Sequence, residues 1–153
     1  MPNHCNNQLT LANGEDILNV LNPYLTDRGD GEYDFNFQKI IPMDESLLEE
    51  GEDWYSWRVE NWGTKWEGYY GRFNSDDFSS FTFDTAWAPP LPVIKKLAEL
   101  TGETFILEYI EEGMFFCGKY TASPDESRDE FYDNIENASQ KLLDSVGYVP
   151  YEE

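Results

Sequence analysis

The stretch from Phe78 to Thr121 narrows the possible folds more than any other part of the chain. Phe81 and Phe83 alternate with polar neighbours, and Thr85 and Trp87 continue the same face, the two-residue period of a half-buried strand. Ala88-Pro89-Pro90-Leu91-Pro92 stops that strand, because proline has no N–H to give to a sheet. Val93, Ile94, Leu97, Ala98 and Leu100 then recur at helical spacing, and Thr101-Gly102 ends the helix. Residues 104–110 and 114–121 read as two strands around a hairpin turn at Glu111-Glu112-Gly113. A strand, a crossover helix and a hairpin in this order require a sheet with a helix packed on one face.

The flanking segments extend this frame. Residues 4–12 form a strand through Leu9 and Leu11, broken at Asn13-Gly14. Ile17, Leu18, Leu21 and Leu25 predict a helix over about 15–25, with Asn13 as its cap and Pro23 shortening its last turn. Residues 26–34 read as a polar loop, 35–41 as a second strand, and 44–50 and 54–61 as two short helices. Residues 66–73 read as a weak strand. A last helix is expected from about Asp125 to Ser145, with Phe131, Ile135, Ala138 and Leu142 on one face. The expected class is α+β: a ferredoxin-like split β-α-β sandwich with an antiparallel sheet, inserted short helices and an extra C-terminal helix. Residues 1–122 would form that domain, and 123–153 an acidic helix and tail packed on it.

Three segments carry a family resemblance: Asn61-Trp62-Gly63-Thr64-Lys65, Thr85-Ala86-Trp87-Ala88-Pro89-Pro90, and Glu111-Glu112-Gly113 followed by Phe116-Cys117-Gly118. With Cys5-Asn6-Asn7-Gln8-Leu9 they resemble the YubB ferredoxin-like domain family of phages and plasmids over roughly residues 3–121. The resemblance implies the fold and a phage, plasmid or prophage source. It carries no catalytic role, and fold alone supplies none. The fold's name implies no iron–sulfur cluster, which needs about four ligands, and the chain has two cysteines.

Charge bounds the partners. The formal net charge is −21, from 31 acids against 10 bases, and aromatics make up 16% of the chain. So many aromatics indicate a folded body with an acidic coat. That coat repels nucleic-acid phosphates and anionic membranes and favours a basic protein surface. No apolar run approaches transmembrane length, and the opening residues lack the regions of a signal peptide, so a cytoplasmic protein with reduced cysteines is expected. The acids concentrate at the two ends. Asp125, Glu126, Asp129, Glu130 and Glu136 would form a ridge along the last helix, able to imitate a phosphate backbone or simply to keep that face solvated.

All five tryptophans lie between Trp54 and Trp87. Trp54, Trp57, Arg58 and Trp66 form a candidate aromatic binding surface, against the reading that they pack a second core. Cys5 and Cys117, on strands expected to be close, are a candidate pair beside His4, or two small buried hydrophobes. Asp27, Asp30, Glu32 and Asp34 invite a calcium reading, but the twelve-residue loop pattern fails. No catalytic residue, cofactor or metal is expected. Three functions follow: an acidic accessory protein that binds a host protein, in one form a DNA mimic blocking a defence protein; a ligand-binding or enzymatic domain using the tryptophans; or a structural phage protein.

Overall fold

The computed structural model describes residues 3–44, 46, 53–73 and 76–149. Eight antiparallel strands form one sheet: β1 (His4–Leu11), β2 (Leu25–Gly29), β3 (Glu32–Phe35), β4 (Gly68–Phe73), β5 (Ser80–Ala86), β6 (Phe105–Glu111), β7 (Phe116–Ala122) and β8 (Ser127–Tyr132). Among the described residues four α-helices accompany them: α1 (Leu18–Leu21), α2 (Asp53–Asn61), α3 (Leu91–Thr101) and α4 (Gln140–Ser145). The strand order is β2-β3-β4-β5-β1-β6-β7-β8. Its centre, β4-β5-β1-β6, is the ferredoxin-like arrangement, in which β1 separates β5 from β6 and α3 connects them. The β2–β3 hairpin widens one side of this unit and β7–β8 the other.

The α3 crossover forms where the sequence places it. Val93, Ile94, Leu97 and Ala98 are buried, and Gly102 takes the left-handed φ of 76° that ends the helix. On the same face of the sheet lie Cys5, Leu9 and Leu11 of β1, Phe81 and Phe83 of β5, and Phe105, Leu107 and Tyr109 of β6. Phe35 meets Phe37, Phe81 and Phe83 edge-on, the favoured geometry for aromatic pairs.

Several expectations are corrected. The helix over 15–25 shrinks to α1 and a 3-10 turn at Asn22–Tyr24 around Pro23, and Leu25 already begins β2. Asn13 caps no helix; its side chain accepts from the Glu15 N–H instead. The loop over 26–34 is the β2–β3 hairpin, turning at Asp30-Gly31 with φ of 55° and 78°. An Asp-Gly pair suits such a turn because both residues tolerate positive φ. The strand expected at 35–41 is β3 followed by a 3-10 turn at Phe37–Lys39. The short helix at 44–50 falls largely outside the described residues.

The largest correction is at the C-terminus. Residues 125–145 are not one helix but the turn before β8, β8 itself, a 3-10 turn at Ile135–Asn137, and α4. Asn134 and Ser139 explain the break, because each turns its side chain onto the backbone ahead of it, at Glu136 N and Leu142 N. Beyond β8 the chain crosses to the opposite face of the sheet. There Ile135, Leu142 and Leu143 pack on Ile110 and Cys117 as a second, smaller core. Among the described residues no helix is long and apolar enough to cross a membrane.

Candidate functional site

The first two segments that carry the family resemblance meet, with Asn7 of β1, in one buried knot. Trp62, at the end of α2, is fully buried, and its indole N–H donates to the Ile41 carbonyl at 2.9 Å. Gly63 has φ of 82°, and a Cβ there would stand 3.0 Å from the Pro89 carbonyl oxygen. The Thr64 hydroxyl donates to the Ala86 carbonyl at 3.0 Å and accepts from the Ala86 N–H at 3.1 Å. The Thr85 hydroxyl donates to the Ala88 carbonyl at 2.6 Å and accepts from Asn7 at 3.0 Å. The Asn7 amide also donates to the Cys5 carbonyl. Every partner is internal, so these residues hold β1, β5 and the segment after α2 together. The third segment is also structural. Buried Glu111 accepts from the Gly113 N–H at 2.6 Å and closes the β6–β7 turn, while Gly118 lies so close to the Tyr109 ring that no side chain fits.

The aromatic middle divides into wall and surface. Trp54 and Trp57 are half-buried against the main core. The Arg58 guanidinium lies 4.9 Å and 5.0 Å from the rings of Trp54 and Trp62. Its Nε is buried with no hydrogen-bond partner among the described residues, and burial lowers its pKa below the ordinary arginine range. Of the four residues expected on an aromatic surface, Trp66 is the most exposed, at 37%. Beside it the structure places Tyr55 and Trp87, which were not expected on that surface; with Trp66 they surround the Lys65 ammonium at 5.6, 5.3 and 5.0 Å. Trp87 does not continue the buried face of β5. It takes φ of 68° and stays 40% exposed. The charge that these rings would attract is already supplied by the chain's own lysine.

The cysteine pair does not form. Cys5 belongs to the main core, whereas Cys117 belongs to the small core on the other face of the sheet. The register gives the reason: Asn6 pairs with Ile110, and Ile110 with Cys117, so Cys117 shares the face of Asn6 and not of Cys5. Burial pushes both thiols up. His4 hydrogen-bonds the Tyr69 hydroxyl instead. In the β2–β3 hairpin Asp34 pairs with Arg28 at 3.2 Å and Glu32 with Arg72 at 3.8 Å. Among the described residues no three His, Cys, Asp or Glu side chains gather as a metal site.

The acidic ridge changes form because β8 is a strand. Asp125 and Glu126 lie in the turn before it and Glu136 in the 3-10 turn after it, while Asp129 and Glu130 project to opposite faces. Glu130 pairs with Arg128 at 3.2 Å. Asp129 accepts from the Tyr109 hydroxyl at 2.7 Å, and burial raises its pKa. Asp129 and Phe131 face a groove of about 450 Å3, walled on the other side by Pro89, Leu91 and Pro92. Sequence reasoning missed this groove, because its walls lie far apart in the chain. On the opposite face, Asn6, Gln8, Asp84 and Glu108 line a smaller polar cleft of about 200 Å3.

An antiparallel sheet with the order β4-β5-β1-β6 at its centre and α3 packed on one face defines a ferredoxin-like α+β protein. The chain belongs to the family described as the ferredoxin-like domain in Api92-like protein, whose profile matches residues 62–146. The matched stretch runs from the buried Trp62 through β8 and α4. No curated protein and no solved structure matches the chain.

Proposed function

We propose that this chain is a protein-binding module whose acidic C-terminal edge engages a basic protein surface. The observation that carries the reading is the setting of β8. This outermost strand and its flanking turns present Asp125, Glu126, Asp129, Glu130, Asp133 and Glu136, with Arg128 tied to Glu130. In a chain of net charge −21 such an edge attracts cations and repels phosphates. The motif resemblance to YubB domains extends the proposal to a phage or plasmid protein in the host cytoplasm. There an acidic face would occupy the nucleic-acid site of a host defence protein, as a DNA mimic. The aromatic middle supports ligand binding less well, because Arg58 and Lys65 already lie against its rings.

Affinity capture from host lysate at low and high salt, with the wild type and an Asp125→Lys/Glu126→Lys/Glu136→Lys variant, tests this. A basic protein retained only at low salt, and bound about tenfold or more weakly by the variant, is the expected result. Partners held equally well at high salt, or equally by both chains, would overturn it.

A further inference from the structure

We propose that β8 is a docking strand: an extended segment of a basic partner adds to the sheet along β8 and seats one apolar side chain in the groove beside Asp129 and Phe131. The inference rests on the reading of the acidic edge and gives the partner's form and chemistry.

Three observations support it. First, β8 ends the sheet, and among the described residues no strand covers its outer side. Its pairing with β7 is unbroken from Cys117↔Tyr132 to Ala122↔Ser127, with no bulge or proline, so its outward N–H and C=O groups form a regular template. The other edge differs: the β2–β3 pairing shifts register between Asp27 and Gly29, which spoils such a template. Second, the groove adjoins this edge. Leu91, Pro92, Phe116 and Phe131 line it, and Phe131 is 53% exposed. In an added strand every second side chain faces the groove, so one apolar residue can enter while its neighbours point away. Third, charge selects the occupant. A second copy would bring its own acids against Asp125, Glu126 and Glu130 and be repelled, whereas lysine or arginine flanking the apolar residue would be attracted.

The test uses the intact chain and three synthetic peptides of equal charge and composition. One alternates Lys or Arg with Leu or Phe. The second has the same residues shuffled to break the alternation. The third is the first with alternate backbone amides N-methylated, which removes strand pairing and keeps the charge. The alternating peptide is expected to bind and to slow amide exchange within residues 127–132. N-methylation or Phe131→Ser should each weaken it about tenfold. If all three peptides bind equally, or residues 127–132 gain no protection, the docking strand is wrong and the acidic-edge reading survives. If no basic peptide binds, both fall.

Discussion

Thr64 shows how a single side chain can take the place of a strand. Its hydroxyl both donates to and accepts from the backbone of Ala86, at the end of β5. Substituting Thr64→Val keeps the shape and leaves the buried Ala86 N–H unpaired, while the Ala86 carbonyl keeps the Ala88 N–H at 2.9 Å. The variant should lose about 1–3 kcal/mol in urea unfolding, while Thr64→Ser should keep most of the stability. A loss below about 0.5 kcal/mol would remove the hydroxyl from the account. The family segments were legible in the sequence as a pattern, but their purpose was not. Thr64, Thr85 and Asn7 are ordinary residues until the fold brings them to one point. Trp87 is the opposite case, since its alternation with Phe83 suggested burial and its backbone turned it outward.

At the scale of elements, α3 and the strands around it were legible because each repeats its own period over enough residues. The C-terminal segment was misread because Phe131, Ile135, Ala138 and Leu142 fall at helical spacing by coincidence. Asn134 and Ser139, both turn-forming, were the signal against a continuous helix. One comparison separates the two structures. A helix would bury Phe131 and Ile135 alike. With β8 as a strand, Ile135 is fully buried and Phe131 is half-exposed. Ile135→Ala should therefore cost about 2–4 kcal/mol and Phe131→Ser about 1 kcal/mol or less, measured by denaturant unfolding. Equal large losses would restore the helix. The Asp30-Gly31 turn was present in the sequence too, but the acids around it suggested a loop.

For the molecule as a whole, charge sets the response to pH. Burial raises the pKa of Asp84 and Asp129 above the ordinary 3.8, although the Asn6 amide offsets part of the shift at Asp84. A carboxyl with a raised folded-state pKa favours folding fully below its unfolded value and loses that contribution as pH rises through its folded value. Mutual repulsion within a chain of net charge −21 acts in the same sense. Stability should therefore increase as pH falls from 7 towards the ordinary carboxyl range at about 4. Asp84→Asn should reduce that increase, by under about 1 kcal/mol because the site is partly solvated. Unfolding curves at the two pH values check this, and stability that falls on acidification would reverse the assignment.

The sequence by itself determined the antiparallel α+β class, the helix between two strands that divides the sheet, and the acidic balance. These depend on periodicity and composition, which are local or additive. Only the tertiary structure decided that residues 127–132 pair as an edge strand, that Cys5 and Cys117 lie on opposite faces, and that a groove opens beside Asp129. Each depends on strand register and on partners distant in the chain, and a shift of one residue in pairing exchanges one face of a sheet for the other.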